Sequence, residues 1–228
     1  NVLSIVNQIL REPTFPKPEF DKMKEEILAG IDQKKSDPQA IAFSKIDQLT
    51  RVYPKADFRY TSTFDEMTEA AKKLTVEDLK KFYAEFYNSS NATVSAVGEF
   101  DETKVLAGVN SILANWTSAQ KYERAADNYA KAVQKSEKII TPDKKNATMA
   151  ARMNLTLKDD NADYPALVMG NYMLGGGFLN SRLATRIRQK EGISYGVGSW
   201  LRASSLDQSG EFGSYAIYNP ENSTKLIN

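Results

Sequence analysis

From Ala147 to Leu157 apolar side chains fall at every second position, at Met149, Ala151, Met153, Leu155 and Leu157. Successive side chains of a strand point to opposite faces, so this period of two calls for an extended segment, a long strand. A strand leaves backbone donors and acceptors unsatisfied until neighbours pair with it. Two later segments, Ile193 to Ala203 and Gly210 to Tyr218, alternate similarly and are joined near Ser204 to Ser209. The last third of the chain therefore reads as strands of a sheet.

The first half has the other period. Val2, Leu3, Ile5, Val6, Ile9 and Leu10 form one helical stripe, and Pro13, Pro16 and Pro18 then interrupt the chain, since proline lacks a donor and fixes φ. Phe20, Met23, Ile27 and Ile31 predict an amphipathic helix ending before Asp37-Pro38, and Ile41 or Ala42, Ile46 and Leu49 predict another reaching about Arg51;. Tyr53 to Tyr60 is loop-like. Thr75 is an N-cap, with Glu77 and Asp78 in the first turn and Leu79, Phe82, Tyr83 and Phe86 on the apolar side;. Asn91 to Val97 reads as a strand closed by Gly98, and Asp101 as the start of a helix with Val105, Val109, Ile112 and Leu113 inward.

Residues 117–137 turn to Ala, Lys, Gln and Asp with little apolar periodicity, which predicts a linker;. Three regions follow: 1–116, the linker, and 138–228. Beyond the long strand, Tyr164 to Leu174 reads as a buried helix stopped by Gly175-Gly176-Gly177. Asn180 or Ser181 caps a helix carrying Leu183 and Ile187. The chain starts at Asn1 in a helical pattern and stops at Asn228 as another begins, so both ends read as cuts through a longer protein.

Composition excludes several chemistries. The 228 residues hold no histidine and no cysteine, so thiol nucleophiles, imidazole acid–base work and His-ligated zinc are out of reach of this chain;. Thirty basic against 29 acidic residues, net charge +1, give no reason to expect nucleic acid or an anionic membrane as partner;. No apolar run approaches the roughly 18 to 20 residues of a membrane span. Glu25 and Glu26 are spaced as solvated helix charges, Asp57 and Arg59 as a loop-locking pair, and Phe82, Tyr83, Phe86 and Tyr87 as core.

Arg188 and Tyr195 stand seven positions apart on either side of Gly192, a cation at a helix end and a phenol on the next strand. Converging on one spot, they offer several donors to a carbonyl or an oxyanion. Spacing alone also allows a surface cation and a half-buried strand tyrosine, or an anion platform with Arg182, Arg186 and Lys190. Gly175, Gly176 and Gly177 lack the spacing of a phosphate cradle and read as a helix stop and turn, open to close approach of a ligand backbone.

The run Leu174-Gly175-Gly176-Gly177-Phe178-Leu179-Asn180-Ser181-Arg182-Leu183, followed by Arg188 to Tyr195, resembles the second-domain signature of the insulinase/pitrilysin-type zinc peptidases, which include the mitochondrial processing peptidase. The resemblance extends over Leu74 to Tyr83, Asn91 to Asp101, Ser209 to Gly213 and Asn219 to Asn222. It implies repeated α+β domains of the processing-peptidase type, each an antiparallel sheet with helices on one face. Two halves of such an enzyme close around an unfolded or extended peptide. One half bears zinc on an inverted HxxEH motif plus a distal glutamate, whose motif glutamate activates the bound water. The other supplies an arginine and a tyrosine at R-x6-Y spacing that grip the substrate backbone, positions matched by Arg188 and Tyr195. Gly175, Gly176 and Gly177 match a substrate-proximal loop.

The departure is the missing zinc motif. It lies in an upstream part, or residues 1–116 are an inactive repeat of a doubled polypeptide, and the Tyr53 to Tyr60 loop points to the second. Zinc then belongs to the full-length enzyme, on a domain in cis or in a partner chain, and this chain alone is predicted to hydrolyse nothing. The resemblance suggests periplasm or cell envelope, with the cytoplasm as the other option. A non-catalytic relative, acting as scaffold or peptide-binding subunit, is the rival expectation.

Overall fold

The computed structural model describes Val2 to Ile227. The helical readings at Asn1 and Asn228 fall outside the described residues. The chain divides into two compact units, one of residues 1–28 and 69–125, the other of residues 29–68 and 126–228.

The first unit is helical. Helix α1 (Val2–Arg11) packs on α6 (Glu102–Leu113), where the Leu3 side chain fills the space beside Gly108. The Arg11 guanidinium donates to the carbonyls of Ile112 and Ala114 at 3.1 and 3.2 Å and sits 5.2 Å from the Trp116 ring. These are carbonyls that a helix end leaves unsatisfied. Helix α5 (Val76–Phe86) begins at a capping box: Thr75 Oγ1 accepts from Asp78 N while the Asp78 carboxylate accepts from Thr75 N;. Asp101 caps α6 without a reciprocal bond, its carboxylate accepting from Lys104 N. Tyr83 packs between Phe15, Tyr87 and Trp116 and donates its hydroxyl to Leu10 O at 2.5 Å.

Two expectations fail in this unit. Asn91 to Val97 forms no strand, and Val97 is 97% exposed. A β-branched run becomes a strand only with a ladder partner, and none is paired with it among the described residues. Phe82, Phe86 and Tyr87 are also not core: they touch one another yet remain exposed.

The second unit carries the sheet and is α+β. Strands β1 (Ala147–Leu155), β2 (Ser194–Ala203) and β3 (Gly210–Tyr218) pair antiparallel in the order β1-β3-β2, with Ala147 opposite Tyr218 and Leu155 opposite Gly210. Helix α3 (Pro38–Thr50) lies on the sheet with Phe43 against Trp200 and Tyr215, ring centroids 5.8 and 6.3 Å apart. Asp37 caps it, accepting from the backbone N–H groups of Gln39 and Ala40. Arg152 of β1, 4% exposed, ties helix to sheet: it reaches Asp47 at 2.7 Å, Thr50 Oγ1, and Glu211 of β3 at 3.1 Å.

The loop after α3 is held by charge. Asp57 accepts from Arg59 through both backbone and guanidinium, and Arg59 stacks 4.2 Å from the Tyr53 ring centroid. Tyr53 donates to Asp127 at 2.6 Å, and the Asp127 N–H donates to Asp207 at 2.9 Å.

The helix after β1 departs from the sequence reading. Helix α7 spans Tyr164–Asn171 and continues through Tyr172–Gly176 as a π-helical turn, with Gly177 N donating to Tyr172 O. It is not buried: Leu167, Val168, Met169, Tyr172 and Met173 are exposed. Nor do the glycines form a left-handed cap. Gly177 has φ −80, and the left-handed residue is Phe178 at φ 51.

Candidate functional site

Arg188 and Tyr195 are brought together by three local devices. The segment Ala184–Lys190 is π-helical and follows Ser181, whose Oγ accepts from Ala184 N at 3.3 Å. It stops at Gly192, φ 65, where Ile193 N reaches back to Ile187 O at 3.1 Å. A side chain at Gly192 would strain this left-handed stop, so glycine suits it. The chain then turns directly into β2.

The second device is a bulge. Ser194 stands opposite Tyr218 and Gly196 opposite Ile217, so Tyr195 is the extra residue between them. A bulge bends its strand and re-aims the side chain. Ser194, 5% exposed, clips it: its Oγ is 2.9 Å from Gly196 O and 2.8 Å from Ile217 O.

The third device is the contact itself. The Arg188 guanidinium lies 5.4 Å from the centroid of the Tyr195 ring, a cation–π distance;. Tyr195 is 82% exposed. A half-buried guanidinium thus lies by the ring of an exposed tyrosine.

The neighbouring cations do something else. Arg186 pairs with Glu191 at 3.1 Å, and Lys225 reaches the same carboxylate at 2.8 Å. Lys225, then Arg186, hold the Glu191 carboxyl below the ordinary range;. The cationic face is therefore divided, with Arg186 neutralised locally and Arg188 over the phenol.

Gly175 is buried against β2. A Cβ there would stand 2.5 Å from the Ser199 backbone nitrogen, and the adjacent Asn171 accepts from Ser199 Oγ at 2.7 Å. Gly177 similarly lies close to Tyr172 O, and Gly176 beside Asn171. Gly175 lets the π-turn approach the strand, while Gly176 and Gly177 let it close on Asn171 and Tyr172. Sequence reasoning missed three residues here: Ser194, Phe178, and Gln189, whose side chain donates to Leu179 O at 2.8 Å. The signal for Ser194 was available, because Gly196 within an alternating strand marks a bulge.

Zinc does not fit these residues. The sequence offers no histidine or cysteine, and among the described residues no cluster of three or more acidic groups could hold a metal ion. No helix among them is long and apolar enough to cross a membrane.

Residues 73–228 match the family profile described as the peptidase M16 inactive domain. A curated relative, the "non-peptidase homolog YmxG" of Helicobacter pylori, is 27% identical over 193 residues, 84% of this chain and 43% of that protein. An uncharacterised zinc protease of Rickettsia felis is 23% identical over 94% of this chain and 49% of its own length. The crystal structure of a peptidase M16 inactive domain from Pseudomonas fluorescens superposes with a TM-score of 0.74 at 22% identity, over 99% of this chain and 53% of that one. The chain thus spans about half the length of the relatives it matches.

Proposed function

We propose that this chain, which belongs to the peptidase M16 family through its inactive domain, serves a zinc metalloendopeptidase as its substrate-gripping, non-zinc portion. In this reading residues 1–116 come from one family domain, 117–137 connect, and 138–228 open the next. Zinc and the activated water belong to another domain or a partner chain. The work of this chain is done by Arg188 and Tyr195, with Gly175, Gly176 and Gly177 shaping the adjacent surface.

The observation that carries the reading is the Arg188–Tyr195 contact, at 5.4 Å, on an exposed bulge of β2. An extended peptide presents a carbonyl every residue, and the guanidinium and phenol can both donate to one such oxygen. As that oxygen gains negative charge on the way to a tetrahedral intermediate, fixed donors stabilise it more than they stabilise the ground state. The contact of cation with ring restrains both, by about 0.5–1 kcal/mol at an exposed site.

A second reading has its own support. The Helicobacter pylori relative is named a non-peptidase homolog, which favours a subunit that binds peptide or scaffolds a partner without hydrolysis. One set of proteins separates the two. In the full-length protein, with its zinc-bearing partner where that is a separate chain, R188A or Y195F lowers kcat/KM by about 10²-fold or more, the scale of losing an oxyanion donor. Unchanged kinetics in both variants would remove the gripping role. No hydrolysis by wild type, with peptide binding retained, selects the second reading. An E. coli structure described as a periplasmic protease, with a TM-score of 0.54, supports the periplasm as the compartment.

A further inference from the structure

We propose that Phe178 determines specificity at this site, giving an aromatic or branched aliphatic side chain of the bound peptide an apolar surface beside the carbonyl that Arg188 and Tyr195 hold. The proposal rests on the gripping role of that pair.

Phe178 has φ 51 and is 74% exposed. A bulky residue in the left-handed region is strained, and such strain persists only where the surroundings fix it. They do so here. The Phe178 carbonyl accepts from Ser181 N at 3.2 Å and from Ser181 Oγ at 2.8 Å, and Ser181 is buried. The next carbonyl, that of Leu179, accepts from Gln189, the residue after Arg188. The turn is therefore tied to the helix segment that carries the cation.

Glycine would adopt this conformation without strain and would expose no ring. Phenylalanine adds backbone cost and apolar area in water, with little packing inside the fold in return. Leu179, the next residue of the same turn, is also exposed. A peptide lying along Arg188 and Tyr195 brings alternating side chains with it. An apolar one removes this surface from water.

The test uses full-length protein with zinc chelated, so that binding is read without hydrolysis. The probes are two fluorescein-labelled Gly/Ser decapeptides differing only in a central Phe or Ala, and anisotropy gives each Kd. Wild type binds the Phe peptide about tenfold more tightly, the scale of an apolar side-chain contact. F178G loses most of that preference while its melting temperature stays at or above wild type, and F178L keeps most of the preference. R188A weakens both peptides and leaves their ratio intact. An unchanged ratio in F178G, or a melting temperature lowered by several degrees, overturns the proposal while the Arg188 effect stands. Wild type binding neither peptide overturns both the proposal and the gripping role.

Discussion

Ser194 Oγ and the Ile217 carbonyl oxygen lie 2.8 Å apart, across the bulge whose extra residue is Tyr195. The same Oγ lies 2.9 Å from Gly196 O, so its one proton can be shared between the carbonyls on the two sides of the irregularity;. Removing the hydroxyl frees the bulge to slip. On the proposed gripping role, and where the full-length protein hydrolyses peptide, S194A should lower kcat/KM about fivefold, the scale of one hydrogen bond. S194T should restore most of the loss. In the Y195F background S194A should cost activity little more, because the two act through one phenol. Equal losses in both backgrounds would show that Ser194 does not work through Tyr195.

Arg152 joins three elements through one guanidinium, reaching Asp47 and Thr50 of α3 and Glu211 of β3. Glu211 also accepts from the Trp200 indole at 2.9 Å. Taking away the buried cation leaves Asp47 and Glu211 only their more exposed partners, Arg51 at 3.5 Å and Arg202 at 3.1 Å. R152A should therefore destabilise the protein by about 1–3 kcal/mol, the scale of lost hydrogen bonds to charged groups. R152M combined with D47L and E211Q, which removes the stranded charges, should recover part of that loss in urea unfolding. No recovery would mean that packing, not charge, sets the cost.

The elements legible in the sequence are those with local causes. Thr75 and Asp101 cap helices from within their own first turns, and the alternation of β1, β2 and β3 repeats often enough to mark each strand. Phe64–Lys73 forms a helix that the sequence reading passed over, although Phe64, Met67 and Ala71 stand at helical spacing among its charged residues. Asn91 to Val97 shows the opposite error, since β-propensity without a pairing partner makes no strand. The π-helical turns were invisible because a wider ladder has no compositional mark, and three glycines read more simply as a stop. At the site, spacing allowed Arg188 and Tyr195 to meet but did not require it. Their contact depends on the left-handed Gly192 and the bulge, and only the glycines at 192 and 196 hinted at either.

Two glycines of one helical segment should respond oppositely to alanine. At Gly175 the added Cβ would sit 2.5 Å from both the backbone nitrogen and the Oγ of Ser199, and backbone cannot swing away. G175A is expected to cost about 1–3 kcal/mol as an overpacked contact. At Gly170, within α7, nothing lies within 4 Å of the built Cβ. G170A should raise stability by about 0.5–1 kcal/mol through helix propensity alone. Denaturant midpoints that move in the same direction for both variants would contradict the close packing of the π-turn on β2.

Acid should loosen the loop after α3 in a defined window. Hydrogen bonds from the Arg59 guanidinium and backbone lower the Asp57 carboxyl from 3.8 to about 2. A carboxylate depressed on folding adds stability that is complete above its unfolded value and is lost as pH falls through its folded value. The Asp57 share is thus present above about pH 4 and disappears on the way down to about 2;. Glu66, lowered to about 2 chiefly by its hydrogen bond from Lys55, titrates over a similar range and steepens the loss. D57N mimics the protonated acid in shape. It should melt below wild type by a constant margin above pH 4, a margin that shrinks as pH falls and nearly vanishes at pH 2. Melting curves of the two proteins across pH 2 to 7 provide the measurement. A margin that stays the same at low pH would show that Asp57 holds the loop by geometry rather than by its charge.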